Sequence, residues 1–157
     1  MFPKARIVIG ADELAWSLTV PWGETPVPEL YMRELNIWPT LHRAAEGEEV
    51  FPGITAHLAP GHTPGQIRVD LDSRGKRAIF AGDALHNPVQ VPLWKWNSCF
   101  CEDRDLARQS RHTLLADCVE QGALLMPAHF APPHAAYVKD KGDRFELDWD
   151  YDNARGR

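Results

Sequence analysis

Three short stretches carry the residue types from which a metal-dependent site can be made. They are Ala59-Pro60-Gly61-His62-Thr63-Pro64-Gly65, Phe80-Ala81-Gly82-Asp83 and Leu124-Leu125-Met126-Pro127-Ala128-His129. Each sets one ligand-type side chain, an imidazole or a carboxylate, just beyond an apolar, strand-like run. Imidazole nitrogens and carboxylate oxygens are donors for divalent cations, and the two oxygens of one carboxylate can bridge two ions. Side chains placed at strand ends share the rim of a sheet, so His62, Asp83 and His129 are expected to meet there. Gly61 and Gly65 are expected to let the backbone turn sharply on either side of His62, while Pro64 stiffens the loop and presents the ring in one direction.

The surrounding pattern supplies the elements that would hold these loops. Residues 54–58 alternate well enough for a strand, with His57 in a structural or solvent-facing place. Residues 66–71 alternate at period two, Ser73-Arg74-Gly75-Lys76 is a turn, and residues 78–81 are a more apolar strand, so this hairpin delivers Asp83 close to His62. Asp103-Arg104-Asp105 opens a helix running to about Glu120, with Leu106, Ser110, Leu114, Leu115 and Val119 on its inner side and Gln121-Gly122 as its stop. Residues 123–126 form a buried strand leading to His129, and residues 136–139 and 144–149 form a closing hairpin. Near the start, residues 6–9 make a strand closed by Gly10, followed by a helix with Asp12 and Glu13 in its first turn. Prolines punctuate residues 21–39 around a short helix from Glu29 to Asn36, where Trp22, Tyr31 and Trp38 either pack or line a pocket. The tail over residues 150–157 is expected to fray.

A long loop, residues 85–97, follows Asp83 directly and is a candidate wall for a substrate. His86 would support the ligands, bind substrate or be an ordinary loop residue, and Trp94 and Trp96 would offer stacking surface or join the core. His134, in a proline-rich loop, is expected not to ligate. Cys99-Phe100-Cys101 has the wrong spacing for a tetrahedral zinc knuckle and lacks a second pair.

Gly61-His62-Thr63-Pro64-Gly65, Gly82-Asp83 and Ala128-His129, in that order, resemble the later metal-binding motifs of the metallo-β-lactamase superfamily, most closely its lactonase-like and organophosphate-hydrolase-like members. The resemblance runs from Phe2 to about Trp149. It implies an α/β fold, mainly the C-terminal half of an αββα sandwich, forming one partial domain over residues 1–157. It also implies a hydrolase acting on a lactone, ester or related small molecule through a metal-bound hydroxide held by two divalent ions, usually zinc. On that reading His62 binds the first ion, Asp83 is the bridging and catalytic carboxylate, and His129 binds the second, while His86, Trp94 and Trp96 face the substrate. The family's first motif, His-x-His-x-Asp-His, does not occur in this sequence. The resemblance therefore implies the C-terminal portion of a metallohydrolase, truncated or remodelled. Three ligands shared by two ions fall short of the three to four protein donors usual for each zinc, so a normal binuclear centre is not expected from this chain alone. The alternative is a non-catalytic remnant serving as a binding or oligomerising module, since a lone half would leave an apolar sheet face to be covered by a homodimer partner or a complementing N-terminal half.

Composition bounds these readings. A chain of 157 residues can bury roughly two thirds of its unfolded surface, enough for one core. Its formal charge of -5, with Lys and Arg scattered, disfavours a nucleic-acid or anionic-membrane partner. No apolar run reaches the roughly 20 residues of a membrane span. The odd set Cys99, Cys101 and Cys118 favours reduced thiols and a cytoplasmic setting, although an export signal would be lost with a missing N-terminal half.

Overall fold

The computed structural model describes residues 4–20 and 33–150. Two sheets are present among them. A parallel pair, β1 (Ile7–Gly10) and β2 (Leu41–Ala44), is separate from a seven-stranded sheet in strict sequence order. That sheet runs β3 (Glu48–Phe51), β4 (Ile54–Leu58), β5 (Ile67–Ser73), β6 (Lys76–Gly82), β7 (Leu124–Pro127), β8 (Ala136–Asp140) and β9 (Phe145–Asp148). Neighbours are antiparallel except β6 and β7, which are parallel and so need a crossover. Helix α2 (Arg104–Gln121) supplies it, and α1 (Ala11–Ser17) follows β1 directly. No helix among the described residues is long and apolar enough to cross a membrane.

The helix α2 starts and stops where its capping residues dictate. The Asp103 side chain accepts from the amides of Asp105 and Leu106 at 3.0 and 2.9 Å, and Gly122 ends the helix at φ 59°. Its buried residues are Ala107, Arg111, Leu114, Leu115 and Cys118. The face is thus turned from the expected one, since Leu106, Ser110 and Val119 are only partly buried and Arg111 lies in the interior. Leu114, Leu115 and Cys118 pack with Ile79, Ala81, Leu85, Val91, Leu125, Phe130, Val138 and Phe145 into the main core. On the opposite face, Val8 of β1 and Ala44 of β2 pack on Val50, Ile54, Ala56 and Ile67, which makes a partial second sheet layer.

The hairpin β5–β6, the strand before His129 and the closing hairpin agree with the sequence expectations. Strands β2 and β3 add to them. Of the expected helix from Glu29 to Asn36, residues 33–36 are helical; its earlier part, Trp22, Tyr31 and the tail from Tyr151 lie outside the described residues.

Candidate metal centre

The loop carrying His62 leaves β4 and returns into β5, closed by the Ala59 amide donating to the Gln66 carbonyl at 2.8 Å. Helix α2 holds it from one side. The carbonyls of Pro60, Gly61 and His62 accept, in turn, from Ser110 Oγ at 2.6 Å, the Asp103 amide at 3.0 Å and the Glu102 amide at 3.1 Å. Gly61 has φ 128°, and a Cβ there would lie 2.1 Å from the Ala107 nitrogen, so both backbone conformation and close approach require glycine. Gly65 differs from the expectation. It is not among the positive-φ glycines, and its requirement is contact, because a Cβ would fall 1.8 Å from the Glu13 nitrogen at the start of α1.

Asp83 follows Gly82, whose φ is 51°. The buried Gln66 side chain turns its amide oxygen to this bend and accepts from the amides of Asp83 and Ala84 at 3.2 and 2.9 Å. From the other side, Arg111 Nε donates to the Ala84 carbonyl at 2.8 Å, and its Nη1 donates to the carbonyls of Trp94 and Trp96 at 2.7 and 2.9 Å. Gln90, also buried, accepts from the His86 and Asn87 amides at 2.7 and 3.2 Å through Oε1 and donates to the Trp96 carbonyl at 3.0 Å through Nε2. A loop that would otherwise bury unpaired backbone groups is thereby satisfied by three polar side chains. No carboxylate among the described residues pairs with Arg111, whose pKa burial pushes down from the ordinary guanidinium value. Sequence reasoning missed Gln66, Gln90 and Arg111 as supports of the site. Their polar type just before a strand, in a turn and on a helix is the one available signal. The third loop is tied to the second where the Ala128 amide donates to the Gly82 carbonyl at 3.3 Å.

These loops bring His62, Asp83, His86 and His129 together. The Asp83 carboxylate lies between two imidazoles, with Oδ1 2.7 Å from His129 Nε2 and Oδ2 3.4 Å from His62 Nε2. The His86 ring is 4.9 Å from that of His62 and 5.1 Å from that of His129, centroid to centroid. The His62, Asp83 and His129 side chains are 17%, 39% and 50% exposed, so the cluster opens towards His129. Burial, then the neighbouring His62, holds the pKa of His86 below its ordinary value. The Nδ1 atoms of His62 and His86 are buried without a hydrogen-bond partner. A carboxylate flanked by imidazoles, with two orphaned ring nitrogens beside it, fits a divalent cation of zinc type.

Trp94 is placed elsewhere. Its ring meets His112 edge-on at 4.6 Å, and with Phe145 it lines a cavity of about 380 Å³ to which none of the four residues contributes. Trp96 is 59% exposed, and its carbonyl, not its ring, is held by Arg111 and Gln90. His134 Nδ1 is bonded to the Phe130 carbonyl at 2.8 Å, and His57 sits between Glu46 and Asp70 at 2.7 and 3.7 Å.

With the geometry in place, comparison with known proteins identifies the class. The model of the metallo-beta-lactamase superfamily matches residues 3–142, and the chain belongs to that superfamily. No curated protein sequence matches it. Among solved structures it is similar to AidC, a dizinc quorum-quenching lactonase in complex with a product, at 23% identity and a TM-score of 0.81 over 93% of this chain and 55% of that one. It is also similar to the hydrolase AbOPH of the beta lactamase superfamily, at 19% identity and TM-score 0.75 over 94% and 55% of the two chains. A third is an N-acyl homoserine lactone hydrolase with N-hexanoyl-L-homoserine at its catalytic metal center, at 15% identity and TM-score 0.61 over 94% and 49%. The chain thus spans about half the length of the structures it matches.

Proposed function

We propose that this chain carries the ligand-bearing part of a metal-dependent hydrolase acting on a lactone, ester or related small molecule. The observation that supports it most is the placing of His62 and His129 on opposite oxygens of Asp83, 3.4 and 2.7 Å away. His62, Asp83 and His129 would hold the metal, zinc by analogy with the dizinc lactonase AidC, and Asp83 would bridge where two ions are present. When bound at this rim, a divalent ion would supply a lowered water pKa and polarisation of the acceptor oxygen. The chain's own residues supply the rest. The carbonyls of the His62 loop are fixed by Ser110 and the residues that open α2, Asp83 is set by Gln66, and His86 would stand where it can meet a bound acyl group. The relatives' length leaves room for further donors from an upstream half, on which full activity would depend.

The test is hydrolysis of a lactone and ester panel by the zinc-loaded chain, alone and with the upstream half of a relative supplied. Asp83→Asn is expected to lower metal-dependent turnover by more than about 100-fold, beyond the 10- to 100-fold cost of a supporting residue. Turnover unchanged in Asp83→Asn would refute the assignment. A second reading, a binding or oligomerising module, is favoured by the thinly covered sheet face, where Phe51, Leu58 and Phe80 are 62%, 45% and 41% exposed. A well-folded monomer at micromolar concentration would count against it.

A further inference from the structure

We infer that Cys99 and Cys101 are a dithiol modification site for a low-molecular-weight disulfide such as glutathione disulfide, and that closing the pair loosens the support Arg111 gives the Asp83 loop. The two thiols stand outside the imidazole and carboxylate cluster, and their chemistry does not depend on a metal being held there.

A turn brings the two thiols within reach of each other. Cys99 and Phe100 are its central residues, the Cys101 amide donates to the Ser98 carbonyl at 3.3 Å, and Ser98 Oγ accepts from the Phe100 amide at 3.2 Å. Residues two apart in a turn fall under the roughly 7 Å Cα separation beyond which a disulfide cannot close. Their settings differ. Cys99 and Phe100 are exposed, so an external disulfide can reach Cys99, whereas Cys101 is buried and is met next from within the chain. Cys118 is buried beneath α2, and burial pushes its thiol up to about 12, so it stands apart from the exchange.

Arg111 gives the pair its consequence. Its side chain is fully buried and its Nη2 has no hydrogen-bond partner, while the Cys101 sulfur lies beside the guanidinium. A sulfur joined to Cys99 has to turn out towards the surface, which leaves the buried cation with less around it. The same guanidinium holds the carbonyls of Ala84 and Trp94. The next two residues, Glu102 and Asp103, hold the His62 and Gly61 carbonyls through their amides. Oxidation would therefore pull on both ligand loops from one short segment.

The exchange balances in two steps. The Cys99 thiolate attacks one sulfur of glutathione disulfide, which forms a mixed disulfide and releases the first glutathione. The Cys101 sulfur then attacks the Cys99 sulfur, the bond to glutathione breaks, and the second glutathione leaves. The two cysteines give up two electrons and two protons, and the disulfide becomes two thiols. A bridge over one intervening residue closes a short ring, and strained or exposed disulfides are the readily reduced, regulatory kind.

The reduced full chain, incubated with glutathione disulfide, tests this by intact mass, peptide mapping and amide hydrogen exchange. The expected product is lighter by two hydrogens, with Cys99 linked to Cys101 and Cys118 free. Exchange over residues 84–97 should quicken by about tenfold, the effect of one weakened buried hydrogen bond, and recover with dithiothreitol. Cys101→Ser should stop at the mixed disulfide on Cys99, and Cys99→Ser should stay unmodified over the same period, with circular dichroism checking the fold of both. An unaltered chain that halts at the mixed disulfide, takes up no glutathione at Cys99, or reacts as fast at Cys118 would overturn the site. A closed pair with exchange unchanged over residues 84–97 would overturn its link to Arg111. None of these readings involves metal, so each is separate from the fate of the hydrolase proposal.

Discussion

The face of the seven-stranded sheet that receives α2 and the face that receives β1 and β2 are built to different depths. Among the described residues, thirteen buried ones form the cluster under α2, against three under the β1–β2 pair. On the second face a cavity of about 800 Å³ is bounded by Val8, Val50, Phe51, Ile54, Ile67 and Val69. The loops carrying His62 and Asp83 are held from the first face, through Ser110, Arg111 and the residues that open α2, and the His129 loop is tied to the second of them. Site geometry and the larger core are therefore one cooperative unit, and the β1–β2 layer is more nearly an attachment. A loss under α2 should reach the metal centre, while an equal loss under β1–β2 should leave it alone.

Arg111→Met breaks the first region most directly. It keeps volume and removes the donors to the carbonyls of Ala84 and Trp94, while the Trp96 carbonyl keeps its bond from Gln90. Buried acceptors left unpaired cost about 1–3 kcal/mol each, so a net destabilisation of about 3 kcal/mol or more is expected in urea unfolding. Zinc affinity should fall with it, because Ala84 adjoins Asp83. Unchanged affinity in a folded Arg111→Met would sever the proposed link between core and site. The comparison is sharpened by a matched pair of cavities. Leu114→Ala, fully buried under α2, should cost about 2–5 kcal/mol. Val50→Ala, in the small cluster, deletes two methyl groups beside an open cavity and should cost about 1–2 kcal/mol, with zinc affinity intact. Equal costs for the two would mean that the second face is as well packed as the first.

The parts of the molecule that the sequence disclosed are those governed by local chemistry. Gly and Pro punctuation marked the His62 loop, the Ser73 to Lys76 turn marked the β5–β6 hairpin, and Asp103 with Gly122 marked the ends of α2. The order of His62, Asp83 and His129 carried the family. What stayed hidden depends on contacts distant in sequence. Arg111 is drawn inward by carbonyls 15 to 27 residues away, which periodicity alone cannot show, and the expected face of α2 was misjudged as a result. Gly65 looks like a turn residue until α1 is seen against it. Strands β2 and β3, with the sequences LHRA and EEVF, have too little apolar alternation to declare themselves and are strands because of their partners. Trp94 follows Asp83 closely in the chain yet packs on His112, since the loop between them turns away from the rim.

The smallest expected effect lies where the two regions meet. Glu46, between β2 and β3, joins the second face to the strand that leads into the His62 loop: its carboxylate accepts from the Leu58 amide at 2.5 Å and meets His57 Nδ1 at 2.7 Å. Partial burial acts to raise its pKa, but the Leu58 amide and His57 together outweigh that and hold it below the ordinary 4.5. A carboxylate whose pKa is depressed on folding adds stability that is present above the unfolded value and disappears as pH falls through the folded one. Thermal midpoints of the unaltered chain and Glu46→Gln should therefore differ slightly at pH 6 and converge once the pH is well below 4.5. The side chain is more than half exposed, so salt should shrink the difference further. If the difference persists unchanged in acid, the link acts through shape and not through charge, and the joint between the two faces is a packing contact.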